Sequence, residues 1–346
     1  MKYLLSLPLI LLWACQTNQT PHEEGPMIQS FSAPYETKGS IEIMDSTMLH
    51  YVDADAPLEI LAEGFTWSEG PLWIPDQSFL IFSDVPMNRI YRWQEAQGID
   101  VYLTPSGYTG ETTRGGEPGS NGLTLTPEGK LMLCQHGDRR VAMMNAALDA
   151  PQSQFQTVAG AFEGKKLNSP NDLAYSPSGH LYFTDPPYGL PQQDEDPAKE
   201  LTFQGVFKVD TAGALSLQVD SLTRPNGIAC SPDGQTLYVA NSDPEKALWM
   251  AYELDGEGNA VRGRVLLDVT GYVGDANPGL PDGLKVHPDG TLFATGPGGV
   301  WVIHPDGTPL GIIRTVSKTA NCAWGPGGHL YMTSHQFLMR VRVKGA

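Results

Sequence analysis

Six residues, Glu69, Asn121, Asn171, Asn226, Asp282 and Ala320, each stand six positions ahead of a proline: Pro75, Pro127, Pro177, Pro232, Pro288 and Pro326. In five of the six copies a glycine follows two residues after that proline, Gln77 being the exception. Five of the six leading residues carry side-chain oxygens, two as carboxylates and three as carboxamides. Asn and Asp also cap turns and begin strands, which accounts for any one of them alone. It accounts poorly for Glu69 and not for the recurrence. An oxygen-only set with two carboxylates suits a hard divalent cation: Ca²⁺ takes about six to eight oxygens from carboxylates, amides and water. Mg²⁺ and Mn²⁺ fit the same donors. Zn²⁺ stays open, although no thiolate or paired His motif favours it.

Such residues act together only if the chain brings them together. Each leads a hairpin: "EGPLWIPDQSFLIFSD", "NGLTLTPEGKLMLCQHG", "NDLAYSPSGHLYFTD", "NGIACSPDGQTLYVANSD", "DGLKVHPDGTLFATG" and "ANCAWGPGGHLYMTSH". Apolar runs flank a Pro/Gly turn in every copy, the signature of a two-stranded hairpin. The copies lie 38 to 56 residues apart, with a further strand pair between them. Repeats of that length with four strands each predict an all-β, six-bladed β-propeller of antiparallel strands over residues 51–346. The last repeat lacks a fourth strand after "FLMRVRVKG", and "PLEILAEGF" near residue 60 supplies one, closing the ring. All six leading residues then ring one mouth of the central channel. The hairpins return to that mouth fourteen or fifteen residues later, bringing Asp84, His136, Asp185, Asn241 and His335 with them. Of these, His136, Asp185 and His335 are candidates for substrate contact, with Tyr188 in the loop beyond Asp185.

The chain of 346 residues carries 39 acidic against 22 basic side chains, a formal net charge of −17. That balance argues against nucleic acid as a partner, because phosphates require neutralising Lys and Arg. No G-x-S-x-G elbow or phosphate loop is present. Lys2 and the apolar "YLLSLPLILLWA" read as an export signal, too short for a comfortable membrane span. It ends in "LWAC", where a small residue precedes Cys15 as in a bacterial lipoprotein box. The expected organisation is a signal peptide over 1–14, a tether and N-terminal extension over 15–50 beginning at a lipidated Cys15, and the propeller. The protein is then exported and lipid-anchored in the periplasm, outer membrane or cell surface, touching the membrane only through that anchor. Cys134, Cys230 and Cys322 fall in apolar runs and read as buried thiols. The oligomeric state is not legible.

"SEGPLW", "SPNDLAYSPSGHLYFTD", "RPNGIACSPDG" and "LPDGLKVHPDG", in this order, resemble the senescence-marker-protein/gluconolactonase/luciferin-regenerating family, across about residues 51–340. The "QHGDRR" segment is similar to its bacterial gluconolactonase-like branch. The resemblance implies a propeller with one divalent metal in the central channel, held by Glu69, Asn171, Asn226 and Asp282. It implies Asp282 as the base, Asn121 as a substrate-side residue, and a sugar lactone as substrate. The expected function is metal-dependent lactone hydrolysis. The rivals are organophosphate or phosphotriester hydrolysis on the same metal cup, and a non-catalytic ligand-binding surface lipoprotein.

Overall fold

Each of the six repeats folds as an antiparallel sheet, and the sheets stand around a central channel. The computed structural model describes residues 27–345. Blades I to V span 68–103, 120–159, 173–219, 225–268 and 284–314, and blade VI spans 321–342 with Glu59–Glu63 as its outer partner. The first strand of each blade touches the first strand of the next, from VI back to I, so the channel wall is continuous. The expected six-bladed propeller with four-stranded blades is therefore the observed fold.

Alternation along the strands builds the blade interfaces. Ile74, Phe79 and Ile81 of blade I pack against Leu123, Leu131 and Leu133 of blade II. Equivalent apolar clusters fill the interfaces between II and III, III and IV, IV and V, V and VI, and VI and I. Trp93, Trp249 and Trp301 are among the largest fully buried side chains. Each interface buries several such groups, at about 1.5–3 kcal/mol for each large apolar side chain removed from water. Neighbouring blades are thereby held rigidly, and rigid blades fix the distances between residues that they send to the channel.

Closure works through the N-terminal segment. Glu59–Glu63 pairs antiparallel with Phe337–Arg342, as the unpaired third strand of blade VI requires. Arg340 fastens the seam, donating to Glu59 at 2.6 Å and to Glu95 of blade I at 2.6 Å. Residues 29–50 belong to the fold more closely than an extension ahead of residue 51 would. Ser40–Ile43 adds a fifth strand to blade V, and Gln29–Ser30 adds one to blade VI. Met48 is fully buried in the cluster between blades V and VI. These additions cover outer strands that would otherwise present unpaired backbone. Cys15 and the export signal lie outside the described residues.

Candidate active site

The chain enters each first strand through a tight turn, and the polar residue at the end of the second strand holds that turn in blades I, III and IV. Asp84 accepts from the N–H groups of Thr66 and Trp67 at 3.0 and 3.1 Å. Asp185 accepts from Asn168 and Ser169, both at 2.8 Å, and Asn241 from Arg224 at 2.8 Å. Hydroxyls on second strands then grip the leading residues of the following blade. Ser83 donates to the Asn121 carbonyl at 2.9 Å, Thr184 to that of Asn226 at 2.7 Å, and Thr295 to that of Ala320 at 2.9 Å. The mouth of the channel is thus a ring of residues fixed by their neighbours' blades.

Glu69, Asn121, Asn171, Asn226 and Asp282 come together as the floor of one cavity of about 540 Å³. Trp67, Tyr188, Glu117, Ser242, Leu280 and Lys318 are among the side chains that wall it. A larger depression of about 780 Å³ lies at the hairpin-turn end of blades IV and V, beside Pro232 and Pro288, far from this floor. It holds no buried carboxylate cluster, so the chemistry belongs to the cup.

The sixth blade differs from the other five, as its leading residue indicates. Ala320 has no oxygen to offer, and the next residue, Asn321, fills that sector instead. Asn321 Nδ2 lies 3.5 Å from a carboxylate oxygen of Asp172, itself the residue after Asn171. Asp172 and Asn321 plug the channel beneath the cup. In the other four blades the corresponding position is glycine, for want of room. A Cβ on Gly122 would lie 2.6 Å from Asp172 Oδ1, and one on Gly283 would lie 2.0 Å from the Asn321 Cγ.

The electrostatics of the cup are strained without a cation. Burial pushes the Glu69 carboxyl up to about 8, with Asp172 and Glu117 adding to the rise and the Gly70 N–H opposing it. Burial, then the Glu69 and Asp172 charges, raise Asp282 well above the usual carboxylate range. Asp172 is raised by burial and partly relieved by Lys285. Asp282 Oδ1 and Asn121 Oδ1 are buried without a hydrogen-bond partner. Among the described residues no three His, Cys, Asp or Glu side chains cluster as a metal site by themselves. Two carboxylates with converging carboxamides and orphaned oxygens still fit a hard, oxygen-seeking divalent cation, whose charge would offset the repulsion.

The remaining candidates are dispersed. Tyr188 lines the cavity, where burial raises its hydroxyl. His136 is fully buried behind Asn171, with its Nε2 3.5 Å from Asn171 Nδ2, and does not line the cavity. Asp185 is likewise buried, and its two oxygens accept from the Asn168 and Ser169 N–H groups, which orients the turn ahead of Asn171. His335 sits exposed at the rim, its ring 5.4 Å from that of Trp67. Cys134 and Cys322 are buried free thiols as expected, whereas Cys230 is free but only partly buried; burial pushes Cys230 and Cys322 up to about 12, which disfavours the reactive thiolate. Sequence reasoning missed Glu117, Asp172 and Asn321. The last two were signalled by being the non-glycine members of the position after each leading residue.

Residues 67–336 match the model of the SMP-30/Gluconolactonase/LRE-like region. A gluconolactonase of Zymomonas mobilis is 38% identical over 314 residues, spanning 89% of this chain and 87% of its own. A solved gluconolactonase of Xanthomonas campestris is 30% identical, with a TM-score of 0.77 over 92% of this chain and 100% of that one. Diisopropyl-fluorophosphatase of Loligo vulgaris is 28% identical over 296 residues, spanning 80% of this chain and 88% of its own.

Proposed function

Because this chain belongs to the SMP-30/gluconolactonase/LRE-like family, we propose that it hydrolyses a sugar lactone of the gluconolactone type in the cavity above the cup. The observation that carries the reading is Asp282 Oδ1, buried at the floor of that cavity without a partner. Glu69, Asn171, Asn226 and Asp282 would hold a divalent cation, most simply Ca²⁺. When bound, it supplies the electrophile that polarises the lactone carbonyl and steadies the negative charge formed on that oxygen.

Asp282 takes the proton of the attacking water. Its Oδ1 lies at the floor of the cavity with no hydrogen-bond partner, placed to accept that proton. Attack on the carbonyl carbon forms the tetrahedral oxyanion, and its collapse breaks the bond to the ring oxygen. The proton held on Asp282 then passes to the departing alkoxide, so lactone and water become one hydroxy acid. Trp67 and Tyr188 wall the cavity in which the ester would lie. The Ser83, Thr184 and Thr295 hydroxyls hold leading residues through their carbonyls, which keeps the floor from shifting during the reaction.

A panel of aldonolactones, aryl esters and phosphotriesters, assayed with and without EDTA, tests this function. Chelator-sensitive turnover fastest on aldonolactones is expected. Preference for phosphotriesters would favour the chemistry of the squid relative, and saturable binding of a sugar acid without turnover would make the protein a binding lipoprotein.

A further inference from the structure

Glu117 belongs to no strand and to none of the repeated hairpins, yet its carboxylate reaches the cavity beside Asn121. It lies on the connection 104–119 between blades I and II. Asn88 Oδ1 accepts from the N–H groups of Ser106, Gly107 and Tyr108 at 3.1, 2.7 and 3.1 Å, pinning the start of that segment. Gly119 donates to the Val85 carbonyl at 2.8 Å, pinning its end. Between them Arg114 reaches the carbonyls of Gly137 and Gly189, tying the loop to blade II and to the turn that carries Tyr188. A segment held at both ends and in the middle presents Glu117 as a fixed group.

One Glu117 oxygen, Oε2, lies 3.3 Å from His136 Nδ1, an ion-pair separation without hydrogen-bond geometry. The side chain remains 35% exposed, so it still has acceptor capacity toward the cavity. Asn121 Oδ1, also without a partner, adds a second acceptor on the same flank. Three blades round the ring the wall is mixed, with Pro244, Val273, Pro278 and Leu280 interleaved with Ser242, Asp275 and Asn277. Acceptors on the Glu117 flank fit a ring that carries hydroxyl groups along the edge facing them.

We propose that Glu117 is a specificity-determining residue that accepts hydrogen bonds from the hydroxyl groups of a polyhydroxylated lactone. This rests on the lactonase reading above. A carboxylate accepts only, so it favours neighbouring O–H donors and rejects anionic substituents at that position. Asp282 and the cup handle the ester, and Glu117 handles the rest of the ring.

The experiment compares wild type with Glu117→Gln on D-glucono-1,5-lactone and on δ-valerolactone, which has the same ring without hydroxyls, at saturating Ca²⁺. A hydrogen bond to a charged group contributes about 1.5–3 kcal/mol, so kcat/KM on gluconolactone should fall about tenfold to a hundredfold, chiefly through KM. On δ-valerolactone the change should stay within about twofold. Equal losses on both lactones, or no loss on gluconolactone, would overturn the assignment. Wild type inactive on both would contradict the lactonase reading itself. If Glu117→Gln does not fold, as judged by its Tm, Glu117→Asp carries the same comparison, because it keeps the charge but withdraws it by one methylene.

Discussion

In the proposed mechanism Asp282 serves both as a cation ligand and as a proton acceptor, and those roles pull its proton affinity in opposite directions. A bound cation lowers it; burial and the charges of Glu69 and Asp172 raise it. Asp282→Asn keeps the shape and one ligand oxygen while removing the proton acceptor. Lactone turnover at saturating Ca²⁺ should then fall by about two to four orders of magnitude, the usual scale for a lost general base. Near-normal turnover in that variant would move the base elsewhere. Glu69 permits a second test, in the chelated protein. Its carboxyl rises from 4.5 to about 8 on burial. A raised carboxyl adds stability that is full below about pH 4.5 and is lost as pH climbs through about 8. The melting temperature with EDTA should therefore decline between about pH 5 and pH 9, and added Ca²⁺ should flatten the decline. A Tm that rises with pH after chelation would contradict the strained-cup account.

At the scale of elements, the first strand of each blade is crowded where it meets the channel. Gly122→Ala would place a methyl 2.6 Å from Asp172 Oδ1 and 2.8 Å from the Asn171 carbonyl. Relief requires moving Asn171 or Asp172, so the substitution should cost about 1–3 kcal/mol of stability and also weaken Ca²⁺ binding. Calorimetry showing unchanged Ca²⁺ affinity would mean that the channel plug does not support the cup. The hairpins themselves were legible, because a proline six residues after each leading residue survives any variation in strand sequence. The N-terminal closing strand was legible too, since blade VI visibly lacked one. Asp172 and Asn321 were not, because they matter only by contrast with glycine in the other blades, and the sixth repeat offers its oxygen one residue later. Glu117 was hidden for a different reason: "TTRGGEPGSNG" has no period, and its placement comes from contacts made by Asn88 and Arg114. Ser40–Ile43 is only four residues long, too short for alternation to mark it as a strand.

At the scale of the whole molecule, the described residues form one closed ring of six blades. Cys15 lies outside the described residues, and its lipidation is a proposal that rests on "LWAC" alone. Cys15→Ser should release soluble protein or block processing, and unchanged fractionation with membranes would refute the anchor. Within the ring, Glu69 and Asn226 lie in the first strands of blades I and IV, and Asn171 and Asp282 just ahead of those of blades III and V. A cation shared among them joins blades that otherwise meet only their neighbours, and a ligand specific to the folded state stabilises by about 2.7 kcal/mol at a hundred times its Kd. The most direct test follows both consequences in one titration. Protein stripped with EDTA and dialysed is titrated with Ca²⁺ while D-glucono-1,5-lactone hydrolysis and Tm are recorded together. Both should be low in the stripped protein and should rise along the same saturation curve. Full hydrolysis and an unchanged Tm after exhaustive chelation would contradict a metal-dependent lactonase.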